Sequence, residues 1–122
     1  MDTRHKILTL EEARLLPPPA VAFVTHLEVL RAAHVQKLQG LADANPGTLL
    51  VVLTDPASPL VPLQARAELA AALRVVDYVV PSPEGAEPVL SAVHAALVVH
   101  DEEEDIERTR LLIEHVRRRS RS

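Results

Sequence analysis

Six histidines and no cysteine set the chemical vocabulary of this chain. Without thiols there are neither disulfides nor thiolate metal sites. His5, His26, His94, His100 and His115 show no tight metal-ligand spacing of the His-Glu-x-x-His kind. His100 beside the acidic run Asp101–Asp105 could recruit a divalent ion, or that run could be a solvated acidic cap on the last helix, since carboxylates favour helix N-termini. No serine, histidine and acid fall into a recognisable nucleophile motif. What remains is the stretch Thr25–His34, where Thr25, His26, Arg31 and His34 lie between a first apolar run and the helix that follows it.

The elements that must position these residues are legible from periodicity. Thr9-Leu10-Glu11-Glu12 reads as a helix start with a capping box, and Pro17-Pro18-Pro19 ends that helix early. Ala20–Val24 is an apolar run of strand length. From Ala32 to Ala44 the pattern is helical, with Val35, Leu38, Leu41 and Ala42 on one face and Asn45-Pro46-Gly47 as the stop. Leu49–Leu53 reads as a strand buried on both faces. A proline-rich loop, Pro56–Pro62, leads into a helix at Leu63–Leu73 and a strand within Val75–Val80. Pro81–Gly85 is a loop, Glu87–His94 a helix, Ala96–Val99 a short fourth strand and Ile106–Arg118 a final helix.

Strands alternating with helices predict an α/β, three-layer Rossmann-like fold: a short, mainly parallel sheet of about four strands with helices on both faces. At 122 residues one domain, 1–122, accounts for the chain. Its core must be aliphatic, because aromatics make up only 2%. Ligands of such sheets bind beyond the carboxyl ends of the strands near the topological switch point. Here those ends carry Thr25-His26, Thr54-Asp55, Pro81-Ser82 and His100-Asp101.

Charge and hydropathy exclude other classes. The net charge of -4 argues against a general nucleic-acid binder, the basic end at 112–122 being a local exception. No apolar stretch reaches the roughly 20 residues that span a bilayer. Met1–Lys6 lacks a following signal-type apolar core, so a cytoplasmic location is expected.

From Val21 the chain reads VAFVTHLEVLRAAHVQKL. This resembles the nucleotidyltransferase (cytidylyltransferase-like) superfamily, whose first crossover runs strand, Gly-x-Phe-Asp, then His-x-Gly-His opening a helix. Thr25 stands at the family's glycine, Leu27 at its phenylalanine, Glu28 at its aspartate, and Arg31–His34 at the His-x-Gly-His tetrad. Lys6–Ala13 is similar to the leader helix of the heptose-phosphate adenylyltransferases, which would occupy 6–19 here. Pro59–Val80, with Arg66-Ala67-Glu68 and Val76-Asp77-Tyr78-Val79, is similar to their central block.

The resemblance implies a phosphate cradle at Thr25, His26, Arg31, His34 and Arg66, with His34 as the residual catalytic residue and Mg²⁺ with ATP or CTP as cofactor and substrate if transfer occurs. A helix N-terminus supplies N–H donors for phosphate oxygens, and catalysis of nucleotidyl transfer is mostly positioning and charge stabilisation. His34 reads equally as an ordinary polar residue of the first helical turn. Arg31 could bind phosphate or a partner's carboxylate, or be solvated, and Arg66 could serve a nucleotide or solvent.

Several departures from the family fall on one function. Arg31 replaces the first histidine and Ala33 the glycine; Asp55–Pro59 replaces a basic, glycine-containing loop; an acidic run replaces Lys-Gly-x-Asp-Tyr; and no late Ser-Thr-Thr helix start occurs. The expected function is therefore a nucleotidyltransferase-fold protein that is catalytically impaired or inactive, binding a nucleotide or phosphate or a partner protein. One alternative is an active enzyme joining a nucleoside triphosphate to a sugar or polyol phosphate. The other is a structural assembly subunit, such as a homodimer, in which a partner covers the sheet edge.

Overall fold

A computed structural model describes residues 2–28 and 30–120, with the side chains of residues 104, 105, 108, 109 and 120 left aside. The described residues form an α/β fold around one four-stranded, all-parallel sheet. In chain order the elements are α1 (Leu10–Ala13), β1 (Val21–Thr25), α2 (Ala32–Ala44), β2 (Leu49–Leu53), α3 (Leu63–Ala71), β3 (Tyr78–Pro81), α4 (Glu87–Val93), β4 (Leu97–His100) and α5 (Glu102–Ser120). The sheet order is β3-β2-β1-β4. The chain therefore winds outward from β1 through β2 to β3, then returns to lay β4 on the other side of β1. The switch point lies between β1 and β4.

Continuous apolar runs become the two central strands because both their faces are covered. Every residue of β1 and β2 is buried. Alternate side chains divide the core into two. Val21, Phe23, Leu49, Val51, Leu53 and Val79 meet Leu38 of α2 and Ala67, Ala70 and Ala71 of α3. Val24, Leu50, Val52 and Val80 meet Ala13 of α1 and Val89 and Val93 of α4. The alanines on α3 let that helix approach the sheet closely, which suits a chain with one phenylalanine and no tryptophan.

Local signals explain the boundaries. The Thr9 hydroxyl accepts from the Glu12 N–H at 3.2 Å, and the Glu12 carboxylate accepts from the Thr9 N–H at 3.0 Å, completing the capping box. Ahead of α1 a 3₁₀ turn at Arg4–Lys6 leads into an extended Ile7: Ile7 bridges to Val79, and the Lys6 ammonium donates to the carbonyls of Leu73 and Val76. Gly47, at φ +132°, makes the turn into β2, and a Cβ there would sit 3.0 Å from that of Ala20.

The third strand, expected within Val75–Val80, is Tyr78–Pro81; ahead of it Val76 closes a turn onto Leu73 and Asp77 spends its carboxylate on the Leu49 N–H at 2.8 Å. The last helix begins earlier than periodicity suggests. α5 starts at Glu102, not Ile106, so the acidic run becomes its first turn, where negative charge complements the helix dipole. No helix among the described residues is long and apolar enough to cross a membrane.

The double-sided burial of β2 makes it the most sensitive element. Leu53→Ala should cost about 2–5 kcal/mol, whereas Leu15→Ala, 85% exposed, should change stability by less than about 0.5 kcal/mol. Urea denaturation checks both: the midpoint should fall for Leu53→Ala with an unchanged slope.

Candidate functional site

The carboxyl edge of the sheet gathers the loops after β1, β2 and β4, and of the expected cradle residues Thr25, His26, His34 and Arg66 are buried there, while Arg31 is not. Arg66, on the first turns of α3, is 1% exposed. Its Nε donates to the Val61 carbonyl at 3.0 Å. One Nη donates to the carbonyls of His26 at 2.7 Å and Thr54 at 3.0 Å, and the other is ion-paired with Asp55. A guanidinium suits this role because its donors fan out in a plane with fixed angles. Arg66 thus fastens together the loops that leave β1 and β2.

His34 lies in the first turn of α2 with its side chain fully buried. Its Nε2 is 3.2 Å from a carboxylate oxygen of Asp101, the residue between β4 and α5. The other oxygen of Asp101 accepts from the Lys37 ammonium at 2.9 Å. Lys37 is one turn on from His34, and its ammonium also stands 5.7 Å above the Phe23 ring. The Asp101 N–H donates to the Val24 carbonyl at 2.7 Å, which holds the carboxylate at the switch point. Burying a carboxylate is tolerable only with such partners.

His26 is also buried, its Nδ1 3.0 Å from both the carbonyl and the hydroxyl oxygen of Thr54. The Thr54 hydroxyl in turn donates to Glu102 at 2.5 Å. Thr25 is buried, and its carbonyl accepts the Thr54 N–H at 3.1 Å. Glu28 receives the N–H groups of Leu60 and Val61 at 2.9 and 3.0 Å.

Arg31 is the exception. It is the N-cap of α2, exposed, with no side-chain capping bond. Ala33, also exposed, is helical, so its backbone is unstrained. The left-handed backbone falls instead at Leu27, φ 55°, whose side chain is buried in the α2–α3 core. A left-handed conformation costs roughly 1–2 kcal/mol for such a residue and persists only where packing enforces it.

Beside these buried groups an open cavity of about 310 Å³ remains, roofed by α5. Ile106, Arg110 and Ile113, at helical i, i+4 and i+7 spacing, face His26, Glu28 and Pro56–Ser58. Arg110 is held between Glu107 and Glu114. Hydrogen bonding to Glu107 pushes the Arg110 guanidinium further up, and the same bond lowers the Glu107 carboxyl. The walls are mainly apolar, and the charges at the rim are balanced. Among the described residues no group of three or more histidines or acids is arranged to hold a metal ion.

Sequence reasoning reached Thr25, His26, Arg31, His34 and Arg66 but not what binds them. Asp101 and Asp55 were legible only as strand-end residues. Lys37, and Ile106 and Ile113 of α5, carried no signal that set them apart.

The contrast between the two arginines is testable. Arg66→Met strands the carbonyls of His26, Thr54 and Val61 and leaves Asp55 without its cation, so it should cost about 3–5 kcal/mol. Arg31→Ala should cost less than about 0.5 kcal/mol. Denaturant midpoints for the two variants decide this.

No family model matches the chain, and no curated protein matches its sequence.

Proposed function

We propose that this chain is a nucleotidyltransferase-like α/β protein of the cytidylyltransferase-like kind in which the first crossover has passed from catalysis to holding the fold together. The observation that carries this reading is the state of His34. An imidazole that must meet a triphosphate needs to reach the crevice, and this one is fully buried against Asp101. Arg66 supports the same reading, because its donors are committed to three carbonyls and a carboxylate. An anionic phosphate approaching this edge would meet the carboxylates of Glu102 and Glu28, not an open set of N–H donors.

A residual phosphate-binding role falls to Arg31. Its guanidinium is exposed at the start of a thirteen-residue helix whose first N–H groups receive no side-chain cap. That geometry favours an anion and would give weak, salt-sensitive binding without turnover. The partly apolar cavity under α5 fits a neutral or apolar group better than a triphosphate.

With ATP or CTP, Mg²⁺ and a sugar phosphate, the protein should release no pyrophosphate above the blank. Arg31→His with Ala33→Gly restores the family tetrad in sequence and should remain inactive, because His34 still faces Asp101. Turnover that is lost on Arg31→Ala, a variant that leaves the fold intact, would overturn the reading. Calorimetric titration with ATP or CTP should show weak binding at most, reduced further by Arg31→Ala.

A further inference from the structure

We propose that α5 is the seam of a homodimer, in which the α5 helices of two copies pack side by side and antiparallel about a twofold axis near Leu112. The inference rests on the last helix and is independent of how the crossover is read.

α5 runs from Glu102 to Ser120, nineteen residues, which at 1.5 Å per residue is about 28 Å. Its start is tethered to the sheet. The Asp101 N–H donates to the Val24 carbonyl at 2.7 Å, and the Thr54 hydroxyl donates to Glu102 at 2.5 Å. Ile106, Arg110 and Ile113 then face the cavity. Beyond that the helix has little cover. Among the described side chains from Ile106 to Arg119 only Ile113 is half-buried, and the others are exposed. Leu112 and Val116, one turn apart, share a second face, and Leu112 stands roughly 100° round the helix from Ile113. Val116 is 55% exposed. A helix in a folded protein draws most of its stability from packing its apolar face, so this second face calls for a partner.

The charges along the helix say what that partner is. Glu102 receives the Thr54 hydroxyl, and Glu107, Arg110 and Glu114 pair among themselves. With those set aside, the first turns still hold Glu103–Asp105 and the last turn holds Arg117–Arg119. Laid antiparallel, two copies bring the acidic start of each helix alongside the arginine end of the other, and their macrodipoles oppose. A parallel pair would set carboxylates beside carboxylates and guanidinium groups beside guanidinium groups. Both halves of this match lie on one helix, so a second copy of the chain is complementary without any further protein. The midpoint of Glu102–Ser120 falls beside Leu112, which places the apolar residues at the axis and the charges at the two ends. A twofold seam is self-complementary and closed, so association stops at two.

Sedimentation equilibrium of the whole chain over a wide concentration range should show a reversible dimer that weakens as salt is raised. Leu112→Glu should be monomeric over the same range, and so should Arg117→Glu combined with Arg118→Glu. Leu15→Glu, at an exposed site outside α5, should remain dimeric. Because the chain has no cysteine, single cysteines report the orientation. Leu112→Cys should form an intermolecular disulfide on oxidation, since the two copies meet at the axis. Val116→Cys should not, because its counterpart would lie about 12 Å away along the helix. A monomer at every concentration would overturn the proposal. So would a dimer that survives Leu112→Glu, or one that cross-links through Val116→Cys as readily as through Leu112→Cys. Capture of a foreign amphipathic helix by a chain that does not associate with itself would also overturn it. The cysteine pair decides the matter even if Leu112→Glu fails to fold.

Discussion

A buried guanidinium constrains the carboxyl edge of this sheet more than any other group. Arg66 has almost no contact with water, and a charge in that position is stable only if every donor finds an acceptor. The acceptors come from three places: the loop after β1, the end of β2 and its loop, and the turn just before α3. None of these segments can shift without unpairing part of the fork. The residue therefore sets the spacing between two central strands' exits and the start of the helix that covers them. Its counter-charge, Asp55, lies next to Thr54, so the same short segment answers both Arg66 and His26.

The second constraint stands on the other side of β1. Asp101 is buried at the end of β4 and draws Lys37 and His34 to it, tying α2 to the switch point. The Asp101 cluster thus stands at the switch point, where a doubly wound sheet ordinarily receives a ligand, and the Arg66 cluster stands on the β2 side of it. The space that is left lies to one side, between the loops after β1 and β2 and the underside of α5. Leu27 marks the junction: its left-handed backbone lets the chain turn out of β1 while its side chain returns to the core. The rigidity of this edge contrasts with β4, the strand with least cover, whose apolar residues face solvent.

The helical and strand patterns were largely written in residue order. The limits of α2 and β2 follow from Asn45-Pro46-Gly47 and from an unbroken apolar run, and these are local effects. The exact start of β3 within Val75–Val80 was not readable in this way, because Val75 and Val76 have strand propensity that a turn onto Leu73 and the long-range bond of Asp77 to Leu49 override. Likewise the acidic residues before Ile106 suggested a cap, yet they propagate the helix once Glu102 is fixed by Thr54.

By itself the sequence determined the fold class, the alternation of strands with helices, the aliphatic core and the stretch Thr25–His34 as the place to look. Those depend on periodicity, composition and turn chemistry, which act over a few residues. Only the tertiary structure decided what His34 and Arg66 are bonded to. A histidine in a first helical turn can face water or core, and the choice was made by Asp101, 67 residues further on. Arg66 could serve a ligand or the fold, and carbonyls of His26 and Thr54, 40 and 12 residues away, made it a fastener. Long-range hydrogen bonds of this kind leave no mark in spacing, because their partners are neighbours only once the sheet has formed.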